Sequence, residues 1–271
     1  MTSLSQPPRD ANPPGRPHQR IRGDQSKLRS SLTDELVLGR RKLTTAFGTS
    51  PPRNLKPGEL LATPLGWKSA IFRLRAGWAC QFRELSNGRA VIIDVYLPGD
   101  VIRLDTLLRI QRLDAVLALT SVILEMIPAE DSLLGLIADR SIALYVFWLL
   151  GQRQRRADRR LAANTRLEPQ ARLATMVLDF YARLRSRELT TALTYNLPLT
   201  QAQIGDYLGL SAVHVNRVLR SLRDEGVVNL EKNCVTILDL KRLRTLAYDE
   251  EVVNSAMTSA STAVGLSVPT S

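Results

Sequence analysis

The sequence predicts an α+β chain of two domains, in which an antiparallel β-roll or barrel leads through a long helix into a mainly helical unit that ends in a two-stranded hairpin. Three observations predict it. Residues 57–102 alternate apolar and polar positions with a period of two between turn dipeptides. Residues 131–162 contain no proline and carry a helical apolar stripe. Residues 197–238 hold two short helices joined by a glycine-centred turn. The length of 271 residues also exceeds the roughly 100–200 residues of one typical domain.

Residues 1–34 are rich in Pro, Arg, Gln and Ser without sustained apolar periodicity, which predicts a disordered basic tail. The roll is expected over residues 35–130. Pro57-Gly58 marks a turn, and Ile71, Arg73 and Arg75 alternate with Phe72 and Leu74 as a strand does. A second strand is expected from Trp78 to Leu85 and a third from Val91 to Leu97. Between them Asn87-Gly88 is the dipeptide that tight hairpins favour, because both central residues need positive φ. Pro98-Gly99-Asp100 closes the segment with another turn.

A long helix is expected over residues 131–166. Ile142, Tyr145, Val146, Leu149 and Leu150 fall at i, i+3, i+4, i+7 and i+8, a face wider than a roll alone covers. Ile142, Tyr145 and Leu149 are therefore expected at a subunit interface, which makes this a dimerisation helix and the protein a homodimer. Arg153, Arg155, Arg156, Arg159 and Arg160 make its second half basic.

The second unit is expected over residues 167–250. Pro169 opens a helix whose stripe is Leu173, Met176, Val177 and Phe180. Thr200 then caps a helix from Gln201 to Leu208 with Ile204, Tyr207 and Leu208 inward. Gly205 inside it costs about 1 kcal/mol relative to alanine, so a second helix is expected to pass close by. Gly209 can take the left-handed conformation that stops the helix, and Ser211 caps the next. There Val215, Val218, Leu219 and Leu222 face inward, leaving Ala212, Val213, His214, Asn216, Arg217, Arg220 and Arg223 outward. Asn and Arg suit base edges through bidentate hydrogen bonds, and further arginines suit phosphates. Val227–Leu230 and Cys234–Ile237 form the wing, with Lys232 near its tip. Residues 251–271, mostly Ser, Thr, Ala and Val, are expected to be a second disordered tail.

Composition narrows the function classes. Lys+Arg 37 against Asp+Glu 26 gives a net charge of +11, which points to a polyanionic partner. The charge is uneven: 11 basic and 5 acidic residues stand in 1–60, 9 and 9 in 61–150, and 17 and 11 in 151–250. A neutral middle between basic blocks fits one domain that binds nucleic acid and one that does not. The longest aliphatic and aromatic run, Ile142 to Leu150, is far short of the ~20 residues of a membrane helix, and no secretory leader stands at the N-terminus. A cytoplasmic protein without a membrane partner is expected. Two cysteines, Cys80 and Cys234, read as buried small hydrophobes, and two histidines, His18 and His214, are too few for a zinc or haem site. No catalytic constellation emerges, so an enzyme, a metal and a cofactor are not expected.

The stretch LTQAQIGDYLGLSAVHVNRVLRSLRDEGVV resembles the winged helix-turn-helix of the Crp/Fnr family of bacterial transcription regulators, and RLRAGWACQFRELSNGRAVIIDVYLPGDVI resembles that family's cyclic-nucleotide-binding-like β-roll. The similarity runs from about residue 55 to about residue 245. It implies a homodimer on a double-stranded DNA operator, two recognition helices in successive major grooves, and contact with RNA polymerase. By that match Ala212, Val213, His214, Asn216 and Arg217 read bases; Thr200, Gln201, Ser211, Arg220 and Lys232 are expected to meet phosphates. The other reading is a nucleotide-binding regulatory subunit or enzyme that uses the roll.

The sequence also departs from that family. Cyclic-nucleotide-binding members follow the Pro-Gly-Asp turn with a Gly-Glu pair and, further on, an Arg-Ser pair. Here Arg103-Leu104-Asp105 and Arg112-Leu113-Asp114-Ala115 stand in those places, so a cyclic phosphate would meet Asp114. Arg103, Arg109 and Arg112 are offset by Asp105 and Asp114, and Leu104, Leu107, Leu108 and Leu113 are expected to fill the roll. Oxygen-sensing members carry an N-terminal cysteine cluster for an iron-sulfur centre, and this N-terminus has none. DNA binding is expected not to require cyclic AMP, and the effector, if one exists, is not identified.

Overall fold

The computed structural model describes residues 18–62, 70–86, 88–104, 114–128 and 131–247. The roll consists of two four-stranded antiparallel sheets. One runs β1 (Arg53–Leu55), β8 (Val122–Pro128), β3 (Ala70–Ala76), β6 (Val101–Ile102), and the other β2 (Leu60–Ala62), β7 (Ala115–Ala118), β4 (Ala79–Glu84), β5 (Ala90–Tyr96). The period-two pattern of β3 sorts its side chains as expected. Phe72 and Leu74 enter the roll core with Tyr96, Ile102, Val116 and Leu124. Arg73 points away and donates to Glu125 opposite it on β8, at 2.6 Å. β4 and β5 pair as a hairpin with Glu84 opposite Ala90, and Asn87 of the expected turn lies outside the described residues.

The expected disordered tail is corrected over residues 18–34, which belong to a 30-residue helix, α1 (His18–Phe47). Leu36, Leu43 and Phe47, spaced at helical intervals, are buried. Gly39 explains how closely α1 approaches the rest of the chain. A Cβ there would stand 2.0 Å from the Ser141 carbonyl oxygen and 2.9 Å from the Tyr145 Cβ, so only glycine lets the backbones meet. Residues 1–17 and 248–271, which include the expected C-terminal tail, lie outside the described residues.

The single helix expected over 131–166 is two, α2 (Asp131–Ala138) and α3 (Arg140–Arg166). Asp139 breaks the run because its carboxylate caps α3, accepting from the amides of Ser141 at 3.0 Å and Ile142 at 3.1 Å. Lys42 on α1 donates to the same carboxylate at 2.5 Å; that bond, then the amides, lower its pKa. The apolar face on which a subunit interface is expected also packs within the chain. Ile142 and Val146 are buried against Leu43 and Phe47 of α1 and Ile71, Leu104 and Ile127, with Tyr145 and Leu149 partly buried beside them. The face exceeds what the roll covers, but α1 of the same chain supplies the missing surface.

The second unit contains α4 (Pro169–Arg185), β9 (Thr194–Asn196), α5 (Gln201–Leu208), α6 (Ala212–Asp224), β10 (Val228–Glu231), β11 (Cys234–Ile237) and α7 (Leu240–Leu246). The expected stripe of α4 is buried, and it shares one core with Trp78, Ile92, Val95 and Leu97 of the roll. Trp78 meets Phe180 edge to face, with ring centres 5.6 Å apart. At the end of this contact Asp100 of the Pro-Gly-Asp turn receives Arg183 at 2.6 Å and Arg187 at 2.5 Å. β9, three residues long and without a legible period, completes the wing as a third strand. Cys80 is buried, which pushes its thiol up to about 12. Cys234 is exposed, against expectation, because alternation along β11 sends Val235 and Ile237 inward instead.

Candidate nucleic-acid interface

Local sequence builds α5 and α6 as a rigid pair. Thr200 and Gln203 form a reciprocal capping box: the Gln203 amide donates to Thr200 Oγ1 at 3.2 Å and the Thr200 amide to Gln203 Oε1 at 2.9 Å. Gly209, at φ +68°, ends α5, and Ser211 caps α6 by accepting from the His214 amide at 3.2 Å. Gly205 is required by the turn itself, not by the body of a second helix. A Cβ at Gly205 would lie 2.4 Å from the Leu210 carbonyl oxygen, where the Leu210 amide also donates to the Gly205 carbonyl at 2.9 Å.

Burial then orients α6. Val215, Val218 and Leu222 face the core, and Leu219 packs against it. Ala212, Val213, Asn216, Arg217 and Arg220 are exposed on the outer side, and His214 is half-buried. Among the described residues Asn216, Arg217 and Arg220 have no hydrogen-bond or ion-pair partner, so their donors are available to an outside ligand. Arg223 differs, lying 3.7 Å from Asp224. A second anchor holds the far end of α6. Gln170 on α4 donates to Ser221 at 2.7 Å and to Glu225 at 2.9 Å, and Arg242 on α7 reaches Glu225 at 2.7 Å. Hydrogen bonds from Ser221 and Gln170 lower the Glu225 pKa.

Thr200, Gln201 and Ser211 are exposed at the two helix starts, where free amides and the positive end of the helix dipole favour an anion. Their cap oxygens act as acceptors, which leaves the hydroxyl protons free to donate. Lys232 and Asn233, at φ 49° and 65°, form the two-residue tip of the wing, with Glu231 opposite Cys234. Lys232 is therefore an exposed charge at the end of a stiff hairpin. The sequence-predicted base-reading and phosphate sets both lie on exposed parts of this unit, apart from the half-buried His214. Gln170, which fixes the helix they stand on, was not legible from spacing.

Residues 171–246 match the model of the Crp-like helix-turn-helix domain. The chain is 24% identical to the anaerobic regulatory protein of Haemophilus influenzae over 65% of its own length and 68% of that protein's. It is 36% identical to the transcriptional activator protein FnrL of Cereibacter sphaeroides over a shorter stretch, 33% of this chain and 37% of that one. Among solved structures, FixK2 of Bradyrhizobium japonicum superposes with a TM-score of 0.62 at 21% identity, covering 72% of this chain and 96% of that one.

Proposed function

From the premise that this chain is a transcription regulator of the Crp/Fnr family, we propose that it works in the cytoplasm as a homodimer. Each subunit lays α6 into the major groove of a near-palindromic operator. The observation that carries this reading is the outer face of α6, where packing of Val215, Val218 and Leu222 leaves Asn216, Arg217 and Arg220 exposed and unpaired. Asn216 and Arg217 read base edges together with Ala212, Val213 and His214. Thr200, Gln201, Ser211, Arg220 and Lys232 hold the phosphates. Contact with RNA polymerase belongs to the same reading. Selection from a pool of random duplexes at moderate salt tests it: enrichment of one two-fold symmetric motif supports it, and retention of the pool without enrichment overturns it.

The dimer uses a different face of α3 from the one α1 covers. Leu144, Phe147, Gly151, Gln154, Asp158 and Leu161 recur at alternating spacings of three and four, the seam spacing of paired helices. Phe147 is 71% exposed and Leu161 65%, which is costly unless a second subunit covers them. The pair Phe147→Glu and Leu161→Glu is expected to give monomers in sedimentation at micromolar concentration. Dimers that survive both changes would place the interface elsewhere.

We also propose that DNA binding does not require cyclic AMP. Asp114, placed where cyclic-nucleotide binders present a phosphate donor, is buried and accepts from Gln81 at 2.5 Å and Arg83 at 2.6 Å. Arg153 of α3 donates to Tyr96 at 2.8 Å and to Gln81, and lies 3.5 Å from Asp94, so the chain's own groups engage these polar side chains. Leu104 is buried in the layer between roll and helices instead of the roll core, while Asp105, Leu107, Leu108, Arg109, Arg112 and Leu113 lie outside the described residues. Calorimetric titration is expected to show no micromolar binding of cyclic AMP or cyclic GMP. A tenfold gain in operator affinity with either, about 1.4 kcal/mol of coupling, would overturn the proposal.

A further inference from the structure

A groove of about 580 Å³ opens where α1, the Pro-Gly-Asp turn of the roll, α3 and the end of α4 converge, a volume within the ~300–1,000 Å³ range of small-molecule sites. Of the described roll-core cluster, Tyr96 reaches its lining. Its chemistry is one-sided: seven arginines line it against two acids, Asp100 and Glu188. Several of those arginines are committed, Arg73 to Glu125, Arg153 to Asp94, and Arg183 and Arg187 to Asp100. Arg156 makes no ion pair among the described residues, although its charge also acts on Asp100. Its Nε is buried with no hydrogen-bond partner among those residues, and the Nε of Arg183 is in the same condition.

Buried guanidinium donors that find no acceptor among the described residues are costly unless another acceptor reaches them. Beside them stands an apolar wall. Tyr145 and Trp148 stack with ring centres 5.7 Å apart and planes 14° apart, and Leu43, Leu149 and Leu104 continue the surface. An aromatic platform next to unpaired cations fits a flat apolar body that carries an anionic group.

We propose that this groove binds a small aromatic anion, a carboxylate or a phosphate monoester on a ring. The ring stacks along Tyr145 and Trp148, and the anionic group accepts from Arg156. Because Arg187 and Arg183 belong to the end of α4 and the turn after it, an occupant also ties the helix-turn-helix unit to the roll and to α1. That regulatory consequence rests on the DNA-binding reading above, whereas binding itself is measured without DNA, so the two can fail separately.

Naphthoate and naphthyl phosphate serve as probes, with naphthalenemethanol and inorganic phosphate as the neutral and the ring-free controls. Calorimetry on the full chain is expected to give saturable binding of at least one aromatic anion below about 1 mM. Each control is expected to bind at least tenfold more weakly. Arg156→Gln and Trp148→Leu should each weaken the aromatic anion tenfold or more, and Arg155→Gln, a charge change on an exposed side chain outside the groove, should leave it unaltered. Circular dichroism melts identify any variant that does not fold, and the controls on the unchanged protein carry the test in that case. No saturable binding of either anion, equal binding of naphthalenemethanol, or undiminished binding by folded Arg156→Gln overturns the proposal.

Discussion

Asp100→Ala is expected to remove about 3–5 kcal/mol of unfolding free energy, because deleting one partner of a buried ion pair leaves the others charged and unmatched. The Asp100 carboxylate is 7% exposed and Arg183 is 9% exposed. It accepts from Arg183 at 2.6 Å, from Arg187 at 2.5 Å and from the Leu97 amide at 2.8 Å. Burial alone would raise its pKa, but Arg187, Arg183 and Arg156 together outweigh that and hold it well below the usual carboxylate range. The sign follows: stability from this group is fully present above the unfolded carboxylate pKa of about 3.9 and is lost as pH falls towards the depressed folded value. Urea midpoints at neutral pH, and again below about pH 4, measure both effects. The deficit of Asp100→Ala should be largest near neutrality and shrink in acid. A neutral-pH loss under about 1 kcal/mol would show that the roll and α4 do not depend on this ion pair.

Arg217→Ala is expected to weaken operator binding by about 1–3 kcal/mol per half-site, hence about 2–6 kcal/mol for a symmetric dimer. That corresponds to roughly thirtyfold to twenty-thousandfold in affinity. The side chain is exposed and has no partner among the described residues, so no intramolecular bond compensates for its loss. The effect is expected on operator and not on random DNA. Arg220→Ala and Lys232→Ala should instead weaken all sequences alike and flatten the salt dependence by about one unit of slope for each phosphate that is no longer neutralised. Electrophoretic or anisotropy titrations over a salt series separate the two behaviours. An equal loss on operator and random DNA would remove Arg217 from the reading set.

The elements easiest to read from the chain were those whose local chemistry is self-sufficient. The capping box at Thr200, the left-handed Gly209 and the cap at Ser211 specify α5, the turn and α6 with no distant partner, and the alternation of β3 sorts Phe72 and Leu74 from Arg73. The errors lie where distant segments decide. α1 is polar over much of its length, and its stripe of Leu36, Leu43 and Phe47 gains meaning only against α3, about a hundred residues away. The same omission made the face of Ile142, Tyr145 and Leu149 look uncovered within the chain. The break at Asp139 carried a local signal, an acidic residue followed by exposed α3 amides, which the absence of proline masked. Arg153 reads only as part of a basic helix half, and Arg183 and Arg187 carry no signal of their own, because their acids, Asp94 and Asp100, come from the roll.

The close backbone approach at Gly39 also bears on how the chain is made. α1 leaves the ribosome well before the surface it rests on, from Ser141 to Leu149, which is synthesised about a hundred residues later. At roughly 5–20 residues per second this leaves the helix without its docking surface for about 5–20 s. Its basic, predominantly polar sequence suits that interval, since like charges make a nascent segment less prone to self-association while it waits. The polar character that hid α1 from sequence reading thus also limits the hazard of its late docking.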